Sequence, residues 1–167
     1  MMRIFWFVLG WSSVTLAVAA HAASADKDLP VFAEADTSTI DYKHRIGYYR
    51  GHAKVTQGTT VIIADTIITY MTPKNKLEKA VALGNLASYT TMPDNSKIPF
   101  NAVAKTINYY PQQNLVELID QAKATQGNDN YAGPLIHYYT KDQVVISPPS
   151  KSGHTVIVIQ PDQKLPA

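Results

Sequence analysis

The sequence AKVTQG at residues 53–58 returns as AKATQG at residues 122–127, 69 residues further on. The two copies differ only at Val55 and Ala124. Each copy alternates small or apolar residues with polar ones and ends in Gln-Gly, which is typical of a strand that runs into a tight turn. A short chain that repeats one strand and its turn is expected to stack equivalent strand pairs against each other.

Weaker echoes of the repeat fill the space between the two copies. ADTSTIDY at residues 35–42 resembles AKTINYY at residues 104–110, and Gly51, Gly84 and Asp120 hold the same place in three similar segments of the chain. The spacings of those three positions are 33 and 36 residues. A period of this length predicts an elongated roll in which each unit buries its apolar face against its neighbours.

Beyond Val31 the chain has short β-type runs and no helical stripe. The runs are rich in Ile, Val, Thr and Tyr and are separated by Gly, Pro, Asn or Asp, which predicts an all-β fold of antiparallel strands. The predicted strands cover residues 37–42, 53–57, 60–63, 66–70, 105–110, 115–119, 135–139, 143–147 and 155–160.

The N-terminus has the composition of a secretory signal peptide. Arg3 precedes an apolar run at residues 4–20, and Ala20-His21-Ala22 offers an A-x-A cleavage site. We therefore expect a signal peptide at 1–22 (with a second cleavage frame ending at Ala25), a flexible N-terminus at 23–30, one β-domain at 31–160 and a disordered tail at 161–167. The alternative is an uncleaved membrane anchor, because the apolar run is nearly long enough to span a bilayer.

The composition of the mature chain gives no sign of a nucleic-acid-binding protein or of a disulfide-stabilised one. Without the leader, 14 basic residues face 13 acidic ones, since only Arg3 of the 15 Lys and Arg is lost. Such a scattered, nearly neutral charge predicts no nucleic-acid partner. The absence of Cys means that an exported chain relies on apolar burial and backbone hydrogen bonds.

Alternation assigns an inner face to each copy of the repeat. In the first copy the inner residues are Tyr49, Gly51, Ala53 and Val55; in the second they are Leu118, Asp120, Ala122 and Ala124. Small residues recur where a packed core usually has Leu or Phe. Either they let two sheets approach closely, or the sheets leave a groove between them for an apolar ligand.

The run RGHAKVTQGTTVIIADTIITY (50–70), followed by ALGNLASYTTMPDN (82–95), resembles the OstA-like (LptA) family of lipopolysaccharide transport. The resemblance extends from about Pro30 to about Gln160. It implies a V-shaped antiparallel β-jellyroll in the periplasm, without enzymatic activity or cofactor, whose trough holds the lipid A acyl chains of lipopolysaccharide. It also implies head-to-tail stacking with further copies and with LptC-like inner-membrane and LptD-like outer-membrane OstA-type domains.

Three positions depart from the family pattern. Asp120 stands where many relatives have Gly, Ala132-Gly133-Pro134 replaces Gly-Asp or Ala-Asp, and Pro111 falls where an apolar strand residue is usual. We expect altered local strand geometry at these three positions.

Alternation and the matched motif positions together predict twelve wall residues for the lipid trough. Three of them, Val31, Tyr89 and Tyr109, match positions that line the lipid path in the family. For each residue the alternative is an ordinary place in the core. The predicted wall residues are Val31, Ile40, Tyr42, Val55, Ile62, Ile67, Tyr89, Ile107, Tyr109, Leu118, Ile136 and Tyr138.

The last predicted strand is apolar and carries no charge. Left unpaired, such an edge favours aggregation, so we expect it to pair with the first strand of another copy. The alternative is that it closes its own sheet. The predicted oligomer edge consists of Thr155, Val156, Ile157, Val158 and Ile159.

No catalytic or metal-binding pattern is visible in the sequence. There is no Cys, G-x-S-x-G or H-E-x-x-H, and the histidines beyond the leader lack ligand spacing. Asp36 and Asp65 hold equivalent repeat positions and are expected to accept hydrogen bonds from backbone N–H groups at turns. The remaining alternatives are an LptC-like anchored relative, a ligand-free self-assembling β-protein and, more remotely, a small periplasmic hydrolase.

Overall fold

The computed structural model describes residues 26–94, 96–151 and 153–159. The predicted leader and the tail at 161–167 lie outside these residues. Within the described residues the chain forms ten strands: β1 Val31–Glu34, β2 Thr37–Asp41, β3 Ile46–Gln57, β4 Thr60–Met71, β5 Leu77–Thr91, β6 Phe100–Tyr110, β7 Leu115–Gln126, β8 Asp129–Tyr139, β9 Val144–Ile146 and β10 Val156–Val158. Two 3₁₀ turns, Asp26–Asp28 and Pro111–Gln113, complete the described secondary structure. No helix in the described part of the chain is long and apolar enough to cross a membrane.

All ten strands belong to one antiparallel sheet in the order β1-β3-β4-β5-β6-β7-β8-β10. Both ends of this sheet are split, because β1 and β2 pair with different parts of β3, and β9 and β10 pair with different parts of β8. The all-β prediction is confirmed. The runs predicted at 60–63 and 66–70 are a single strand, β4, because a bulge between Ile63 and Thr66 breaks the alternation without ending the pairing.

A row of β-bulges crosses the sheet. Each pair of neighbouring strands from β3 to β8 has a register break, and the five breaks lie side by side. In β3 the bulge uses Gly51 (φ 75°) and His52 (φ 46°), and in β7 it uses Asp120 (φ 61°) and Gln121 (φ 53°). These two pairs are 69 residues apart, so the sequence repeat encodes a repeated bend.

The bulge row divides the sheet into two walls. The first wall contains β1, β10 and residues 53–64, 87–94, 96–104 and 122–133. The second wall contains β2, β9 and residues 46–50, 66–83, 106–119 and 135–139. The β3–β4 and β5–β6 turns lie at the tip of the first wall. The β4–β5 and β8–β9 turns lie at the tip of the second wall.

An aromatic stack proves that the two walls face each other. Phe100 lies beside Gln126, which pairs with Asp129 at the start of β8. Tyr138 is nine residues further along β8, about 30 Å away in an extended strand. The rings of Phe100 and Tyr138 nevertheless stack with centroids 3.7 Å apart. The sheet is therefore folded along the bulge row into a V, as the family resemblance implied.

The structure explains the three departures from the family pattern. Asp120 was predicted to face inward, and this is wrong: it is exposed, because the bulge turns it out of the alternation. Pro111 is buried but lies just after β6, at the first position of the second 3₁₀ turn, where its missing N–H is tolerated. Gly133 lies under the C-terminal segment, and a Cβ at this position would collide with the side chain of Thr155.

Residues 26–30, predicted as part of a flexible N-terminus, contact the first wall through hydrogen bonds. The amide Nε2 of Gln57 donates to the carbonyl oxygens of Lys27 (3.2 Å) and Leu29 (3.1 Å). The carboxylate of Asp26 accepts from the N–H and the hydroxyl of Thr59 at 2.8 and 2.6 Å. The sequence missed these contacts because each joins residues about 30 positions apart.

Candidate functional site

The space between the walls is largely filled by the protein's own side chains. Next to the bulge row the inner face is mostly alanine, which lets the walls approach closely at the bottom of the V. Large side chains follow towards the tips. The sequence left open whether the small residues mark close packing or a groove; along the centre of the V the structure has close packing. The buried alanines are Ala53, Ala64, Ala80, Ala82, Ala87, Ala102, Ala104, Ala122 and Ala124.

Nine of the twelve predicted wall residues lie in this packed interior and are at most 4% exposed. They come from both walls, and their side chains face the inside of the V, as alternation predicted. They are Val55, Ile62, Ile67, Tyr89, Ile107, Tyr109, Leu118, Ile136 and Tyr138. That they contact lipid remains a prediction.

The other three predicted wall residues line an open cavity at the β1–β2 end of the V. Val31 on β1 is half-buried, Ile40 on β2 is 44% exposed and Tyr42 is 87% exposed. The cavity has a volume of about 270 Å³ and is completed by side chains that include Tyr49 and Met71 and also the charged Asp41 and Arg45. β1 belongs to the first wall and β2 to the second. The cavity lies between these two strands, so it is the end at which the interior of the V is open.

A cluster of aromatic side chains from both walls fills the upper part of the interior. Besides the Phe100–Tyr138 stack, the rings of Tyr89 and Tyr109 lie 5.8 Å apart. Burial raises the pKa of Tyr109 and of Tyr138 to about 12, and it raises the pKa of Tyr89 further, so all three phenols are neutral at physiological pH. Among the described residues the hydroxyl of Tyr138 has no hydrogen-bond partner.

Tyr138→Phe is expected to raise the free energy of unfolding of the lipid-free protein by about 1 kcal/mol, because it removes a buried hydroxyl that gains no hydrogen bond. Denaturant unfolding measures the change. The matched control is Tyr109→Phe, which removes a tyrosine hydroxyl at the mouth cavity that is not among the buried unpartnered groups, and it should not raise stability. If Tyr138→Phe raises stability no more than the control does, the hydroxyl of Tyr138 is satisfied.

A second cavity, of about 220 Å³, opens at the mouth of the V between the tips of the two walls. Hydroxyl groups of Thr60, Thr91 and Thr140 line it together with Tyr89 and Tyr109. Both signs of charge are present at its border, with Lys27 and Lys141 beside Asp26 and Asp94. The cavity at the open end is therefore more apolar than the cavity at the mouth.

The conspicuous Asp and His residues hold the bends of the sheet. The Asp65 carboxylate accepts a hydrogen bond from the backbone N–H of Asn85 at 3.0 Å, as predicted. Asp36 instead pairs with the ring of His52 at 2.8 Å, and this hydrogen bond raises the pKa of the exposed His52. Among the described residues no group of three His, Asp or Glu side chains is arranged to hold a metal ion.

The chain resembles one family of known proteins over most of its length. The model of the family described as "LptA/(LptD N-terminal domain) LPS transport protein" matches residues 33–144. The chain belongs to this family.

Individual members of the LptA family align over most of the chain. The lipopolysaccharide export system protein LptH of Pseudomonas aeruginosa is 34% identical over 126 residues, covering 75% of this chain and 72% of LptH. The lipopolysaccharide export system protein LptA of Escherichia coli K12 is 29% identical over 158 residues, covering 93% of this chain and 84% of LptA.

The LptA-family fold is also confirmed by a solved structure. The crystal structure of LptH from Pseudomonas aeruginosa, described as the LptA-homologous periplasmic component of the lipopolysaccharide transport device, superimposes with a TM-score of 0.76. The sequence identity is 31%, and the match covers 83% of this chain and 100% of that chain. The family and the V-shaped β-jellyroll expected from the sequence are thereby confirmed.

Proposed function

We propose that this chain is a periplasmic lipopolysaccharide carrier that holds acyl chains between its two walls and forms part of a bridge from the inner to the outer membrane. The observation that carries the proposal is the open and mainly apolar end of the V at Val31, Ile40 and Tyr42, in a chain of the LptA family. Each CH₂ group removed from water stabilises the bound lipid by about 0.8 kcal/mol. No catalytic group is required for this role.

The size of the open cavity implies that the walls move apart when lipid binds. Its volume of about 270 Å³ is just below the range of pockets for drug-sized ligands, and a lipid with several acyl chains is larger. The alanines along the bulge row do not oppose this separation of the walls, because their side chains are too short to interdigitate. The closed interior described above is then the lipid-free state.

The polar mouth suits the headgroup of the same lipid. Acyl chains that lie among the buried wall residues place the polar end of the molecule near Thr60, Thr91 and Thr140. Lys27 and Lys141 at the border add positive charge for lipid phosphates. An amphiphile is thus accommodated with both of its parts in matching surroundings.

Bridge formation uses the strands at the two ends of the sheet. β10 pairs with β8 of its own chain through Val156–Val158. One side of the last strand therefore closes its own sheet, which was the alternative to pairing with another copy. Among the described strands nothing pairs with its other side, and Val156, Ile157, Val158 and Ile159 are 43–72% exposed. An apolar edge of this kind favours pairing with β1 or β2 of the next copy, or with LptC-like and LptD-like domains.

Extraction of lipid from the protein purified from the periplasm tests the carrier function. We expect lipopolysaccharide in the organic extract, identified by mass spectrometry, and an N-terminus at Ala23 or Asp26 that reports removal of the leader. The filled interior favours one competitor, a ligand-free β-scaffold. An extract without lipopolysaccharide, together with no binding of added lipopolysaccharide, would favour that scaffold and contradict the carrier.

A further inference from the structure

The segment at residues 26–30 spans the mouth of the V from one wall to the other. It leads directly into β1 on the first wall, and Asp26 bonds Thr59 in the turn at the tip of that wall. Two residues on, the carboxylate of Asp28 pairs with Nζ of Lys76 at 2.7 Å. Lys76 lies in the β4–β5 turn at the tip of the second wall. The segment therefore joins the two walls through side chains.

The segment at residues 26–30 packs against the first copy of the Gln-Gly repeat. Gln57 is 1% exposed, and its amide holds the carbonyls of Lys27 and Leu29. At Gly58 a Cβ atom would collide with the carboxylate of Asp26, so a side chain there would push Asp26 away. At Gly127 in the second copy, a Cβ would make only ordinary contacts of 3.6–3.7 Å with Ile98. The glycines of the two copies therefore have different neighbours, and only Gly58 lies against Asp26 of the segment.

A second contact joins the wall tips on the other side of the mouth cavity. The amide of Gln143, in the β8–β9 turn, donates to the carbonyl oxygen of Asp94 in the β5–β6 turn at 2.8 Å. The mouth cavity is bordered by Asp26 and Lys27 on the segment and by Asp94 at this contact. Both contacts must break before the wall tips can separate.

We propose that residues 26–30 are a latch that holds the walls of the empty protein together and must leave Lys76 before acyl chains enter through the mouth. This inference rests on the proposed lipid-carrier function. The two attachments of the latch differ in strength. Asp28 and Lys76 are about half exposed, and exposed ion pairs contribute little to stability. The buried Gln57 keeps the segment on the first wall, so the second wall is the side that releases.

A chemical cross-link tests the latch cleanly because the chain has no native Cys. In Asp28→Cys/Lys76→Cys, a short bis-maleimide ties the segment to the second wall. Uptake of lipopolysaccharide from detergent micelles is measured by photo-crosslinking at successive times. We expect linking to slow this uptake by at least about tenfold. The matched control is Asp26→Cys/Thr59→Cys, which ties the segment to the first wall only and should not slow uptake. Lys76→Met should speed uptake several-fold relative to the parent.

Each outcome decides the latch proposal. Slow uptake in the linked 28–76 variant alone supports it. Equal uptake before and after linking, or equal slowing in the 26–59 control, overturns it while the carrier function stands. If the unmodified parent takes up no lipopolysaccharide at all, the carrier function itself fails, and the latch with it.

Discussion

Ile40→Asp is expected to weaken lipopolysaccharide binding by about a hundredfold, or ~2.7 kcal/mol, because it places a charge against acyl chains at the open end of the V. Ile40 is 44% exposed in the lipid-free protein, so the carboxylate stays hydrated and the fold is retained. Binding is measured by titration of the purified protein with lipopolysaccharide. Circular dichroism checks that the variant is folded.

The matched control for this prediction is Ile63→Asp. Ile63 has the same side chain and is 47% exposed, but it lies on the outer face of β4, at the bulge row. Equal loss of affinity in the two variants would mean that the inner face is not the binding site. Val55→Asp is unsuitable for this comparison, because Val55 is 2% exposed and a buried carboxylate there would unfold the protein.

Val156→Lys/Val158→Lys is expected to leave the protein monomeric at every concentration at which the parent forms filaments. Val156 and Val158 share one face of β10 and are 62% and 43% exposed, so the change leaves the core intact. Lysines on an edge strand repel a second strand, since docking brings their charges out of water. Light scattering across a concentration series measures the mass.

The control for the edge variant is Ile63→Lys, which adds a lysine to a strand paired on both sides. It should assemble like the parent. If the parent itself keeps a constant mass over the whole series, head-to-tail stacking is refuted. If the Val156→Lys/Val158→Lys variant still grows with concentration, the contact between copies lies elsewhere.

The sequence repeat predicted the architecture well because a repeated strand leaves a periodic record. The equivalence of Gly51 and Asp120 pointed to the same place in the two copies of the repeated strand, and the structure has a bulge at both. What could not be predicted was the effect of that bulge on alternation, so Asp120 was assigned to the wrong face. A bulge turns a residue outward without changing the residue pattern on either side of it.

The sequence could not predict that the interior is filled by side chains, and the reason is a different one. Whether alanines mark a cavity or close packing depends on how sharply the sheet bends, and the alternation pattern is the same in both cases. The latch was missed because its contacts join Asp26 to Thr59 and Asp28 to Lys76, far apart in the chain. Only the unequal surroundings of Gly58 and Gly127 could have hinted at it, and these appear in the fold alone.

Photo-crosslinking in cells tests the central claim, that lipid lies between the walls, most directly. Benzoylphenylalanine replaces Tyr42, which lines the open cavity, or Tyr48, whose ring lies beside Arg50 on the outer face of β3. We predict a lipopolysaccharide adduct at residue 42 and none at residue 48. Adducts of equal yield at the two positions, or an adduct at residue 48 alone, would contradict the account.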